Sequence, residues 1–257
     1  MAKWNAFPRL GAHDCDTPGL AARWTQLHAG DAEPLPRDPA IVQAWCLFHS
    51  GRFQEAAEAG LRAGGGGITA ANKATAIYAN YLENREKTRL ELFMAVAQRA
   101  QVQAEQEPGN PNAWYWLAYS LGRYGEGISV AKALAQGLGG RVKDALEKAI
   151  RLQPRHADAH VALAAFHAQV IDKVGTLIGG MTYGARKETG LALFQAALKL
   201  HPASVNAMIE CANGMLMLEG DHRRKEATRL YEKAAACQPA DATESLDIAL
   251  ARMQLAD

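Results

Sequence analysis

Four prolines divide the C-terminal two-thirds of this 257-residue chain into similar segments. They are Pro108, Pro154, Pro202 and Pro239, spaced 46, 48 and 37 residues apart, and a similar helical sequence follows each one. Self-similarity at such a period is the signature of stacked structural repeats. The spacing therefore predicts tandem helix hairpins, and it directs the search for function toward a binding surface rather than a catalytic centre.

Composition supports helices and gives no sign of a charged partner. Hydrophobic residues make up 49% of the chain and aromatic residues only 7%, and the abundance of Ala and Leu favours closely packed helices over sheet. The formal net charge is +1, which gives no field that would recruit nucleic acid. No run of about 18 apolar residues is present, so we expect no membrane span.

The N-terminus and the cysteines predict an intracellular protein. The first 16 residues lack an apolar signal core, which favours a cytoplasmic location, with a periplasmic one open if an export signal has been removed. The four cysteines, Cys15, Cys46, Cys211 and Cys237, form no CxxC pair. We therefore expect all four to be reduced thiols.

Local signals divide the chain into a tail over residues 1–16 and one helical domain over 17–257. Thr17 and Pro18 predict a helix start with the threonine as N-cap, and Asp38 with Pro39 repeats the device. Later, apolar residues at helical spacing predict one buried stripe. Its members are Val142, Ala145, Leu146, Ala149 and Ile150.

The unit between Pro202 and Pro239 resembles a tetratricopeptide repeat (TPR). The match in its second helix is carried by Ala227, Tyr231, Ala234 and Pro239. Earlier units match the repeat less completely, through Trp114, Leu117 and Ala118, through Leu163 and Ala164, and loosely through Gly51, Phe53, Ala56 and Ala63. The resemblance implies an all-α, right-handed solenoid of about five helix hairpins, with Trp114 in the core of its hairpin.

Two units exceed the 34-residue repeat, and the excess forms two apolar, glycine-rich inserts at residues 125–140 and 171–185. Long hairpins of this kind resemble the regulator of microtubule dynamics family, through AWYWLAYSLGRYGEG, DALEKAIRLQP and DAHVALAAFHAQVIDKVG. They also resemble the T component of tripartite (TRAP) solute transporters. Both resemblances imply a non-enzymatic binding or adaptor protein.

Three histidines are the sharpest candidates for chemistry. On an ideal helix, His156, His160 and His167 share one stripe, and imidazoles so placed could ligate zinc or copper. Packing or capping roles compete with this interpretation, because His156 stands at the helix start and the other two fall at repeat positions that pack between helices. We take the packing and capping roles as the expectation, and therefore expect no metal. The glycine-rich inserts match neither GxxxxGK[ST] nor a strand-borne GxGxxG, so we also expect no nucleotide or other cofactor.

A second set of residues occupies positions that face the concave surface of TPR hairpins. This implied binding face consists of Tyr115, Tyr119, Asp158, Val161, Asn206, Ile209 and Asn213. Its aromatic and amide groups would suit an extended peptide or a lipid-like ligand.

The sequence thus predicts a non-enzymatic protein-binding scaffold that captures a protein or peptide segment. The alternative is a solute-binding accessory protein like the transporter T component, in which the two inserts wall a cavity for a hydrophobic small molecule.

Overall fold

A computed structural model describes residues 3–8 and 12–256, and within them the chain forms thirteen α-helices, one short 3-10 helix and no strand. The all-α prediction is confirmed. In chain order the helices are α1 Thr17–Leu27, α2 Pro39–His49, α3 Phe53–Ala63, α4 Gly67–Tyr81, α5 Glu86–Gln106, α6 Pro111–Glu126, α7 Val130–Ala135, α8 Leu138–Leu152, α9 Ala157–Tyr183, α10 Lys187–Leu200, α11 Val205–Glu219, the 3-10 helix Asp221–Arg223, α12 Arg224–Ala235 and α13 Ala242–Ala256.

Side-chain caps and prolines set where several helices begin. The carboxylate of Asp38 accepts the backbone N–H of Ala40 at 2.8 Å, as the sequence predicts for α2. At α1 the cap is Asp16, which accepts from the N–H of Gly19 at 2.7 Å. The prediction of Thr17 as the N-cap is therefore wrong by one residue, because the carboxylate satisfies the free N–H group and Thr17 becomes the first helical residue.

The described residues group into two compact units, and the prediction of a single domain over residues 17–257 stays a prediction. Among the described residues, unit 1 comprises 3–8, 12–28, 33–152 and 240–243, and unit 2 comprises 29–32, 153–239 and 244–256. In unit 1 each helix from α2 to α6 packs against the next, and α6 packs against α8. Four members of the predicted α8 stripe, all but Ile150, are buried, so this face of α8 packs into the core of unit 1 as expected.

Unit 2 is built from the pairs α9–α10 and α11–α12, and α9 also packs against α11. Phe194 of α10 lies in one core cluster with Val161 of α9 and Met215 of α11. A second cluster joins α11 to Tyr231 of α12 and Ile248 of α13. Hairpins packed in sequence order are what the proline spacing predicts.

A disulfide between Cys15 and Cys46 contradicts the prediction of four reduced thiols. It links the segment before α1 to helix α2, across 31 residues of sequence. Spacing between cysteines gives no signal for such a pair, because the fold brings the two together. Cys211 and Cys237 are free thiols. Cys211 lies in a core cluster of unit 2, where burial raises its pKa to about 12.

The two inserts are helical. Residues 125–140 contain α7, where Val130 and Leu134 are exposed. Residues 171–185 continue α9 beyond a break at Gly175, whose φ of 80° interrupts the helix. Beyond the break the apolar residues face solvent, with Leu177 76% and Met181 83% exposed.

Helix α9 is long and apolar enough to cross a membrane by length and composition alone. This test does not contradict the expectation of no membrane span, which stays a prediction. A packed core helix passes the same test, and α9 packs against α10 and α11 within unit 2.

Candidate functional site

The predicted binding face divides into buried and half-buried side chains. Tyr115, Val161 and Ile209 are buried, so the expectation that they face an open groove is wrong. The structural reason is helix register, which turns these side chains into the packing between helices. Tyr115 lies against Trp116, with ring centroids 4.9 Å apart.

The helix register also determines which tryptophan of α6 is buried, and it is not the one that the sequence predicts. Trp116 is buried, whereas Trp114 is only half-buried and its indole N–H donates to the carbonyl of Pro108 at 3.1 Å. Placing Trp114 in the core of its hairpin was therefore wrong. The two tryptophans are two residues apart on the same helix. Which of them enters the core depends on how α5 and α8 pack against α6.

The other four predicted residues are half-buried, and three of them belong to unit 2. Asp158 and Asn206 are each the second residue of their helix, α9 and α11, and these two helices pack together. Asn213 lies two turns after Asn206 and accepts a hydrogen bond from the hydroxyl of Tyr231 at 2.5 Å. The fourth, Tyr119, lies in unit 1. The guanidinium carbon Cζ of Arg123 lies over the ring of Tyr119, 5.4 Å from the ring centroid.

The three histidines of the predicted stripe serve the backbone. The Nδ1 atom of His156 caps α9 by accepting the N–H of Ala159 at 3.1 Å. His160 lies 3.0 Å through its Nδ1 from the carbonyl of His156. His167 accepts the N–H of Arg186 through Nδ1 at 3.2 Å. Across the described residues, no group of three or more metal-ligating side chains is arranged to hold a metal ion.

A buried cluster in unit 1 joins two histidines to an aspartate. Nδ1 of His49 lies 2.7 Å from Oδ2 of Asp241, and Nε2 of His49 lies 3.2 Å from Nε2 of His28. The tryptophans four residues earlier, Trp24 and Trp45, stack on His28 and His49 respectively. The repeated Trp-x-x-x-His spacing is the sequence signal that could have indicated this cluster, although nothing in the sequence points to Asp241.

A small pocket in unit 1 lies beside that cluster. Residues 13–16, Arg23 and His49 contribute to its lining. Leu20, Leu27 and Ala240 complete a mixed lining, and the pocket lies outside both inserts. It does not correspond to the cavity walled by the two inserts that the solute-binding alternative requires.

The N-terminal segment forms a further site that the sequence did not indicate. Residues 3–8 lie against α3 and α4 in unit 1, and the indole of Trp4 stacks on Tyr78 with ring centroids 4.2 Å apart. The N–H of Trp4 donates to Oε1 of Gln54 at 2.9 Å, and the N–H of Asn5 donates to the hydroxyl of Tyr78 at 3.2 Å. Residues predicted as a tail therefore make specific contacts.

An acid fixes the hydroxyl of Tyr78 beneath this segment. The Tyr78 hydroxyl donates to Oε2 of Glu83 at 3.1 Å, and the same carboxylate accepts three hydrogen bonds from the backbone and side chain of Arg85. Hydrogen bonds from Arg85 lower the pKa of Glu83 to about 2. The carboxylate is thus charged at neutral pH and holds Tyr78 in place.

Comparison with known proteins supports the fold. No protein-family model matches the chain, and no curated protein matches it by sequence. Among solved structures, a thermophilic TPR protein from Thermus thermophilus superposes with a TM-score of 0.58 at 17% identity, covering 83% of this chain and 97% of that one. At this identity the likeness establishes the fold alone, which is an all-α, TPR-like stack of helix pairs.

Proposed function

We propose that this protein is a non-enzymatic, TPR-like module that binds an extended segment of another protein. The proposal is supported by the stack of helix hairpins and by the solved TPR structure that it resembles. In a stack of helix hairpins, equivalent residues from the first helix of each hairpin lie in a row. Such a row suits recognition of an extended chain.

The observation that carries this proposal is the polar pair at equivalent positions in unit 2. Asp158 and Asn206 are both the second residue of their helices, both are half-buried, and α9 packs on α11. A carboxylate and an amide so placed can accept and donate hydrogen bonds to the backbone of a bound segment. The two packed helices hold both side chains in position.

The disulfide bears on where the protein works. Disulfides persist in oxidising compartments and are rare in the cytoplasm, so the Cys15–Cys46 link favours the periplasmic alternative over the cytoplasmic expectation. We include an oxidising location in the proposal.

Peptides selected on the wild-type protein from a displayed library of unstructured sequences would test the binding function. Their affinities would be measured by calorimetry on the wild type, on Asn206→Ala and on a control, Arg229→Ala, which removes an exposed side chain of α12. Loss of one hydrogen-bonding amide costs about 1–2 kcal/mol, so Asn206→Ala should weaken binding about tenfold, with Arg229→Ala unchanged. Equal affinity for all three proteins would rule out this surface.

A further inference from the structure

Residues 3–8 contact unit 1 in the way that a short peptide contacts a receptor. Two of its backbone N–H groups donate hydrogen bonds to side chains of the helices. Trp4 donates to Gln54, and Asn5 donates to Tyr78. The side-chain amide of Asn5 donates to the carbonyl of Leu82 at 2.7 Å. Main-chain hydrogen bonds of this kind give affinity for an extended chain, and side-chain pockets give it specificity.

Two aromatic anchors, three residues apart, fill the side-chain sites. Trp4 stacks on Tyr78 at an interplanar angle of 14°. Phe7 is 4% exposed and meets Phe53 edge-on, with ring centroids 6.3 Å apart. Buried aromatic anchors are the side chains that carry most of the energy in protein interfaces.

The site for Phe7 depends on a glycine. Gly51 has a φ of +81°, which favours glycine, and a β-carbon there would lie 2.6 Å from Cδ1 of Phe7. The missing side chain leaves room for a flat ring between Gly51 and Phe53. This receiving site is therefore shaped for an aromatic side chain.

We propose that this surface, formed by Gly51, Phe53, Gln54, Tyr78 and Leu82, is a docking site for an extended segment of a partner protein with two aromatic residues three positions apart. The chain's own residues 3–8 occupy the site as an internal competitor and show the pattern that it accepts. This docking surface lies in unit 1 and is separate from the Asp158–Asn206 pair in unit 2, so either proposal can fail without the other.

The Cys15–Cys46 disulfide holds the internal competitor in place. Cys15 follows Phe7 by eight residues and is bonded to α2. A short tether of this kind maintains a high effective concentration of the segment, typically in the millimolar range. Transfer of two electrons and two protons from a dithiol reductant converts the bond to two thiols, while the reductant becomes a disulfide. The segment is then attached only through the chain that leads into α1, and a partner competes more easily.

The probe is a fluorescent peptide with the sequence of Lys3–Pro8, whose binding is followed by fluorescence anisotropy. The protein is full-length and is compared as oxidised wild type, as Cys15→Ser, and as the double variant Trp4→Ala with Phe7→Ala. We expect the double variant to bind at least tenfold more tightly than the wild type, because it no longer fills its own site. Cys15→Ser should fall between the two, and Cys237→Ser should match the wild type.

Two further measurements locate the binding. A control peptide with alanine in place of both aromatic residues should not bind the double variant, and adding Gln54→Ala to that variant should weaken binding of the Lys3–Pro8 peptide severalfold. If the folded double variant binds this peptide no better than the wild type does, or no better than the control peptide, the docking site does not exist. If it binds well but Cys15→Ser behaves as wild type, the role of the disulfide is wrong and the docking site stands.

Discussion

The Nδ1 atom of His49 lies 2.7 Å from the Oδ2 atom of Asp241, although 192 residues separate the two in sequence. Both side chains are buried within unit 1. Nδ1–H of His49 donates to the carboxylate of Asp241. The contact between Nε2 of His49 and Nε2 of His28 is then a hydrogen bond in which one of these two nitrogens carries the proton and the other accepts it. This cluster ties residues near the C-terminal end of the chain to α1 and α2 in unit 1.

Replacing His49 by alanine should destabilise the protein by roughly 3 kcal/mol, because the buried carboxylate of Asp241 loses a close donor. Asp241→Asn keeps an acceptor for His49 and should cost less. Urea unfolding at neutral pH, followed by circular dichroism, measures both. His222→Ala, at an exposed histidine of the 3-10 helix, serves as the control and should change stability by less than about 0.5 kcal/mol. Equal stabilities for His49→Ala and His222→Ala would mean that the cluster contributes nothing.

Two glycines on helices should respond to alanine in opposite directions. A β-carbon at Gly214 in α11 would overlap the ring of Phe194 in α10, and overpacking of this kind costs about 1–3 kcal/mol. A β-carbon at Gly122 in α6 meets nothing within 4 Å, and alanine within a helix is about 0.5–1 kcal/mol more stable than glycine. Gly214→Ala should therefore lower the thermal midpoint and Gly122→Ala should raise it. A rise for both would show that α10 and α11 are less closely packed than the structure indicates.

Stability should fall in acid partly because of Glu83. Its pKa is about 2 in the folded protein and 4.5 as the ordinary value, so the unfolded chain takes up a proton first. The contribution of Glu83 is therefore complete above about pH 4.5 and disappears as the pH falls toward 2. Free energies of unfolding in urea should drop more between pH 5 and pH 3 for the wild type than for Glu83→Gln.

The matched control for that prediction is Glu86→Gln, at an exposed glutamate at the start of α5. It should retain the full acid dependence of the wild type. Identical pH profiles for the wild type and Glu83→Gln would mean that hydrogen bonds from Arg85 do not hold Glu83 in its charged form.

Local sequence signals predicted the helices well because helix starts and buried stripes are short-range features. Asp38 caps α2 as expected, and the stripe around Leu146 faces the core of unit 1. The same short-range logic failed where two local solutions were equally good. Thr17 and Asp16 could both cap α1, and Trp114 and Trp116 could both enter the core, so the choice depended on partners elsewhere in the chain.

Most of the candidate site could not be predicted, because it depends on contacts between distant residues. The position of Tyr115 on a TPR template suggested an open groove, whereas the packing of neighbouring helices buries it. Nothing in the sequence pairs Phe7 with Gly51 or Cys15 with Cys46. Each of these pairs links the N-terminal segment to the helices of unit 1, and a segment without helical or strand periodicity carries no signal of where it will pack.

The disulfide should contribute substantially to stability. Closing a loop of 31 residues restricts the unfolded chain, which in the chain-entropy model is worth about 3–4 kcal/mol. Cys15→Ser should therefore lower the free energy of unfolding by about 3–4 kcal/mol. A reducing agent should lower the free energy of unfolding of the wild type by the same amount and leave that of Cys15→Ser unchanged.

Thiol titration after unfolding checks the bond directly. Without reductant only the two free cysteines, Cys211 and Cys237, should react, and with reductant all four should. Four reactive thiols in protein purified without reductant would show that Cys15 and Cys46 lie close together but unbonded, and the internal segment would then be held by its hydrogen bonds and aromatic contacts without the covalent link to α2.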